Sequence, residues 1–257
     1  MIKHIIIFLS FQTNVFAQNI DFAKDASISQ TVMLEMTYKT PNKQIRYSKG
    51  CGFLISGKYL VTAYHLFKPN DTLTPVKMIG HFLLTNNSVE VNLKTKYSKS
   101  QYNFNNHKLS ETKRSTDVIV LGLKSTVKNY QTRFDTTNFF PDTTVLTGIT
   151  VRDNTIFPHL EVAQILYTIL DSTKATLYGI LGKIGHGFSG SPVYNTKGNI
   201  IGMIVSGADN FSDIPATLPI DLYNRIRNYY LTTNDMRVGY FLPIKEIYSR
   251  YLKGFVN

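Results

Sequence analysis

Three side chains able to act together in acyl transfer stand far apart in this sequence: His65, Asp117 and Ser189. Ser189 lies in Gly185-His186-Gly187-Phe188-Ser189-Gly190-Ser191-Pro192-Val193. Glycine tolerates positive φ and lets other backbone come close. The glycines around Ser189 therefore permit a tight turn that holds the hydroxyl out and points backbone N–H groups inward. Acyl transfer needs that combination, a nucleophile and donors aimed at the developing oxyanion. By itself the stretch fits an ordinary Gly/Ser surface loop equally well. A serine hydroxyl is a weak nucleophile at neutral pH. It needs an imidazole to take its proton and a buried carboxylate to fix the imidazole tautomer and stabilise its charged form. The chain supplies both upstream, with 52 residues from His65 to Asp117 and 72 from Asp117 to Ser189.

The surroundings of the three residues resemble the trypsin/chymotrypsin-like serine peptidases. Gly187-Phe188-Ser189-Gly190-Ser191-Pro192 is similar to that family's Gly-x-Ser-Gly-(Gly/Ser)-Pro, and Val61-Thr62-Ala63-Tyr64-His65 to its Thr-Ala-Ala-His. Asp117-Val118-Ile119-Val120-Leu121 is similar to its Asp-(Ile/Val)-Ala-(Val/Leu)-Leu. The resemblance runs from about Ile28 to the C-terminal helix. It implies Ser189 as nucleophile, His65 as general base and then acid, Asp117 as orienting carboxylate, and an oxyanion hole from the N–H groups of Gly187 and Ser189. Two positions depart from the pattern. Tyr64 and Ile119 stand where the family has small residues, and side chains of that size in a tight site are expected to threaten the alignment of the triad.

The elements that must position these residues are short strands. Hydrophobic residues make up 43% of 257, enough for a core, and Tyr and Phe are plentiful at 16 each, which favours strands. Alternation predicts strands at Val32–Tyr38, Ile45–Ile55, Tyr59–Thr62, Val76–Leu84 and Val89–Thr95, with a sixth after Asp117. Six strands fit one small closed barrel. A polar loop at Ser98–Ser115 delivers the chain to Asp117, and a connector at Lys124–Thr144 leads to a second set of strands. That set is Val145–Val151, Val162–Leu170, Thr176–Leu181, Pro192–Tyr194 and Asn199–Ser206, with Asn195-Thr196-Lys197-Gly198 as a hairpin turn and Val238–Ile244 closing. The predicted class is all-β, two packed six-stranded antiparallel β-barrels of chymotrypsin-like type with a C-terminal helix. The predicted division is a leader at 1–17, an N-terminal barrel at 18–130 with His65 and Asp117, and a C-terminal barrel at 131–257 with Ser189. Pro243 opens the closing helix, whose Ile244, Ile247, Tyr248, Tyr251 and Leu252 fall at helical spacing.

Met1-Ile2-Lys3-His4, the apolar run Ile5–Phe11 and the small-residue site at Val15-Phe16-Ala17 have the layout of a secretory signal peptide, with a buried first strand as the other reading. The run is too short to span a bilayer. A secreted or periplasmic protein is expected, with no membrane span. Cys51 is the single cysteine, so no internal disulfide can form, and a buried thiol is expected there. This matches the bacterial, disulfide-free branch of the family, HtrA-like or glutamyl-endopeptidase-like. Six scattered histidines and one cysteine predict no metal and no cofactor. The net charge of +11 is spread among polar loops, without a nucleic-acid-binding motif. It is read as solubility and attraction to acidic surfaces or substrates.

The expected partner is a protein or peptide substrate. In this fold the primary pocket lies between the residues before the nucleophile and the strand after it. Here those are Lys183, Ile184 and His186 on one side and Ser206, Gly207 and Ala208 on the other. Lys183 directed into the pocket would favour an acidic side chain; as a solvated loop residue it would leave the pocket uncharged. Ala208–Arg237 is an insertion with a short helix at Ile220–Tyr230, read as a surface excursion in preference to a lid. The predicted function is a secreted serine endopeptidase working through an acyl-enzyme. The alternative is a catalytically weak protease-fold protein that binds through its basic surface. An α/β-hydrolase esterase is disfavoured, because that class runs Ser, acid, His.

Overall fold

The computed structural model describes residues 20–253 and 255, apart from 71, 86, 97–115, 138–141, 153–154, 172, 209–213, 216 and 234–236. The predicted leader at 1–17 and the polar loop at Ser98–Ser115 lie outside the described residues.

Strand β1 (Thr31–Lys39) shows why the chain forms a barrel: Val32, Leu34, Met36 and Tyr38 are buried, while Met33, Glu35 and Thr37 between them are not. A two-residue period buries one face and leaves the other wet. With β2 (Ile45–Ile55), β3 (Tyr59–Thr62), β4 (Thr74–Phe82), β5 (Ser88–Lys96) and β6 (Ile119–Leu123) it closes an antiparallel barrel in the order β1-β2-β3-β6-β5-β4. The second barrel takes β7 (Thr143–Arg152), β8 (Thr155–Leu170), β9 (Thr176–Gly182), β10 (Pro192–Tyr194), β11 (Ile200–Ala208) and β12 (Arg237–Pro243), in the order β10-β11-β12-β9-β8-β7. The predicted class is therefore the observed one, and the strands expected at Ile45–Ile55, Tyr59–Thr62 and Pro192–Tyr194 have those bounds.

Strand β2 is buried without a break from Gly50 to Ile55. Leu54 enters the core of its own barrel, and Phe53 and Ile55, on the opposite face, join a cluster with Val145, Leu177, Met203, Val205 and Leu242 of the second barrel. A strand buried on both faces reads as a continuous apolar run. The seam between the barrels is thus a packed core, and loops that emerge at it are held fixed.

Two helices were not expected from the sequence. Helix α1 (20–30) buries Ala23, Ala26 and Ser27 against the seam, and the Ser27 and Thr147 hydroxyls are 2.7 Å apart. Helix α2 (Tyr64–Phe67) is a single turn that buries Leu66 and Phe67 in the first barrel and leaves His65 at its rim. Helix α3 (Ile220–Thr232) lies in the insertion, as predicted. It is fastened down by buried Ile226 and by the Tyr230 hydroxyl, which donates to Ala208 C=O (2.7 Å) and accepts from Val238 N–H (3.0 Å). The chain ends in α4 (Ile244–Ile247), which widens into a π-turn at Tyr248–Leu252. Among the described residues no helix is long and apolar enough to cross a membrane.

Candidate active site

Strands β3 and β6 are antiparallel, with Thr62 opposite Ile119. The chain just after β3 and the chain just before β6 therefore emerge at the same end of the barrel. Asp117 and His65 occupy those two places. The His65 backbone N–H donates to Asp117 Oδ1 (2.8 Å), and His65 Nδ1 lies 2.7 Å from Asp117 Oδ2. Tyr64 N–H donates to the Asp117 carbonyl (3.3 Å). The Asp117 side chain is fully buried, while that of His65 keeps 18% exposure, so the ring has a dry partner behind it and an open edge in front. A carboxylate oxygen only accepts, so Nδ1 keeps its proton and donates it in a hydrogen bond to Oδ2, which leaves Nε2 as the basic nitrogen. The Tyr38 hydroxyl, donating to Leu66 C=O, fastens the His65 turn to β1.

Both departures from the family pattern are accommodated. Ile119 is fully buried in the first core, and Tyr64 packs against the same cluster with its ring 6.2 Å from that of Phe67. The expected misalignment is absent from the His65–Asp117 pair, which keeps its 2.7 Å contact.

Ser189 follows a 3-10 turn at His186–Phe188, between β9 and β10. Phe188 anchors the turn in the second core, where a side chain on Gly148 would overlap its ring. The Phe188 N–H donates to Gly185 C=O (3.0 Å) and the Ser191 N–H to Phe188 C=O (2.9 Å). Neither bond uses the N–H of Gly187 or of Ser189. The half-buried Ser189 is tied across the seam by its carbonyl, which accepts from Cys51 N–H of β2 (2.8 Å). Gly190, at φ 80°, sits so close to the first barrel that a Cβ there would be 3.1 Å from Ala63 N, two residues before His65. Ser191 Oγ donates to Thr147 C=O (2.8 Å), and Thr147 is the residue bonded to Ser27 of α1. The loop carrying the hydroxyl and the turn carrying the imidazole thus meet at one seam.

Cys51 is buried as expected, with Sγ 3.4 Å from Gly187 C=O behind the Ser189 loop. Burial pushes its thiol up to about 12. A protonated, enclosed thiol is inert, so maleimide is expected to leave the native protein unmodified and to label Cys51 only once denaturant unfolds the chain. Labelling of the native protein at the rate of a free thiol contradicts that placement.

A groove of about 1200 Å3 opens beside the Ser189 loop, lined by Lys183, Ile184 and Gly185–Phe188 from the second barrel and by β1, β2 and β4 from the first. Lys183 and His186, both exposed, line it, as does Gly187, whereas Ser206 and Gly207 do not. Ser206 is half-buried and Gly207 exposed at the end of β11, beyond a register shift between Ile204 and Ser206. Sequence reasoning missed Lys49, Lys77, His159 and Arg237, which also line the groove. They come from strands on both barrels, and no local pattern joins them.

By sequence, no family model and no curated protein matches the chain. The fold does match solved structures. The active form of the Rv3671c protease from M. tuberculosis is 14% identical, with a TM-score of 0.54 over 91% of this chain and 85% of that one. Its inactive form is 12% identical, with a TM-score of 0.52 over 89% and 90%. The HtrA-type protease AlgW with a decapeptide is 13% identical, with a TM-score of 0.54 over 88% of this chain and 64% of that one. At such identities the likeness is one of fold: this chain has the double six-stranded barrel of the trypsin-like serine proteases.

Proposed function

We propose that the chain is a serine endopeptidase that hydrolyses peptide bonds through an acyl-enzyme, with Ser189, His65 and Asp117 as its triad. The observation that carries this reading is the 2.7 Å contact between His65 Nδ1 and the fully buried Asp117 carboxylate, at the seam to which the Ser189 loop is bonded. Ser189 Oγ attacks the scissile carbonyl and gives its proton to His65 Nε2. The N–H groups of Gly187 and Ser189 receive the oxyanion. The C–N bond then breaks, the amine leaves with the proton from Nε2, and the acyl group stays on Oγ. Water repeats the sequence, giving its proton to Nε2, releasing the acid and restoring the hydroxyl. The basic start, apolar run and small-residue site within residues 1–17 support export to the periplasm or the medium, with protein or peptide as substrate.

A fluorophosphonate probe tests the reading. The purified protein is expected to be labelled stoichiometrically, and Ser189→Ala not at all. A folded wild-type protein that resists the probe would instead indicate a protease-fold binding module.

A further inference from the structure

Strand β8 pairs with β7 from Thr155 to Gln164, but with β9 only from Gln164 to Leu170. The β8–β9 ladder thus ends where Gln164 faces Leu181, and the chain beyond β9 continues as the Ser189 loop. Two side chains of β8 bridge this fork. Glu161 Oε1 accepts the Lys183 backbone N–H (2.9 Å), and Glu161 Oε2 lies 3.2 Å from His159 Nε2. The His159 ring in turn meets the Phe188 ring edge to face, with centroids 5.5 Å apart. Glu161 and His159 stand two apart on one strand and so share a side of it. The Glu161 side chain is 13% exposed, and a Cβ on Gly182 would crowd it, at 3.0 Å from Cγ and Oε1. The pair grips the loop at both ends, Lys183 where it leaves β9 and Phe188 where it reaches Ser189.

Between those ends lie Gly185, where a Cβ would meet nothing, and Gly187, whose N–H serves the proposed oxyanion hole. Two glycines so close together leave the backbone much freedom. An oxyanion donor, however, must be held within about 0.5 Å of its working position. Burial of Ile184 and Phe188 fixes where the segment lies but not where its N–H groups point, because apolar packing is non-directional. Hydrogen bonds supply the direction.

We infer that Glu161 is a positioning residue for acyl transfer: with His159 it clamps Lys183–Phe188 so that the Gly187 N–H faces the developing oxyanion. The effect on rate rests on the endopeptidase reading; the clamp itself does not.

The probe is a fluorophosphonate, whose phosphonyl oxygen takes the oxyanion's place as Ser189 attacks. Glu161→Ala is expected to slow labelling at saturating probe about tenfold, with the half-saturating concentration within about twofold and the melting temperature within several degrees of wild type. Glu161→Gln is expected to recover most of that loss. Its amide oxygen can accept the Lys183 N–H, and its NH₂ can donate to His159 Nε2 once the ring proton sits on Nδ1. His159→Ala, at a more exposed position, is expected to cost about threefold, and it carries the same test should Glu161→Ala not fold. The double variant is expected to lose no more than Glu161→Ala alone, because groups that act as a unit are not additive. Glu246→Ala removes a carboxylate in the C-terminal helix and is expected to change nothing.

Hydrogen exchange read by mass spectrometry follows the clamp without catalysis. The peptide covering Lys183–Phe188 is expected to exchange about tenfold faster in Glu161→Ala and near the wild-type rate in Glu161→Gln. Unchanged exchange in Glu161→Ala overturns the clamp, whatever happens to labelling. Faster exchange with unchanged labelling overturns the positioning role, and so does an equal loss of labelling in Glu161→Gln. A folded wild-type protein that is never labelled sinks the endopeptidase reading, and exchange alone then decides the clamp.

Discussion

Replacing Asp117 with Asn is expected to lower kcat by about 10⁴-fold while the protein stays folded. The carboxylate has two duties in a space closed to water: Oδ1 accepts the His65 backbone N–H and Oδ2 faces Nδ1. An amide has the same shape but only one accepting atom. If its oxygen keeps the backbone N–H, its NH₂ faces the ring, Nδ1 must accept, and the ring proton moves to Nε2. The ring then has no lone pair for the Ser189 proton. If the amide turns over, an NH₂ opposes the His65 N–H, and two donors are left facing each other in a buried site, at a cost of about 1–3 kcal/mol. Turnover of any cleaved peptide, together with a thermal melt, separates the two effects. The expected outcome is a collapse of kcat with KM little changed and a melting temperature within several degrees of wild type. A loss below tenfold in a folded protein would show that His65 does not act as the base.

Much of this architecture was legible because strand patterning and chemistry coincide. Val32, Leu34, Met36 and Tyr38 alternate, β2 reads as a run because both its faces are buried, and the strands run up to the functional residues. His65 and Asp117 were paired in advance by the resemblance of the motifs around them, and the antiparallel β3–β6 pair is what brings them to one end of the barrel. Helix α1 escaped notice because its buried face is Ala23, Ala26 and Ser27, at helical spacing but too small to give an apolar stripe. Strand β8 begins at Thr155, seven residues before the Val162 expected, because Pro158 without an N–H hides a run that nonetheless pairs in register with Ile149. The groove escaped for another reason. Lys77 and Arg237 are 160 residues apart and meet only once both barrels have closed. The primary pocket was placed by analogy with the fold, and only its Lys183 and His186 side coincides with the groove.

Gly190→Ala is expected to damage stability and activity together, and Gly185→Ala, in the same loop, to leave stability untouched. Gly190 has φ 80°, in the left-handed region, where an L side chain costs about 1–2 kcal/mol. Its Cβ would also overlap Cys51 O and lie 2.5 Å from Thr62 Oγ1. Neither atom can yield cheaply. The Thr62 hydroxyl donates to Cys51 O at 2.6 Å, and Cys51 N–H holds the Ser189 carbonyl at 2.8 Å. Relief requires the Ser189 loop to lift off the first barrel, which breaks that last bond and moves Ser189 away from the turn of His65. A displacement of about 1 Å at a reacting group costs about 10²-fold in rate. Strain and a lost bond of about 3 kcal/mol together correspond to a fall of about 10 °C in melting temperature for a chain of this size. Gly185 has φ −120° and open space where its Cβ would stand, so Gly185→Ala is expected to melt within about 0.5 kcal/mol of wild type. Melting curves of the two variants decide the matter. If they coincide, the close backbone approach at Gly190 is not what holds Ser189 to the seam, and the coupling between the two barrels must lie elsewhere.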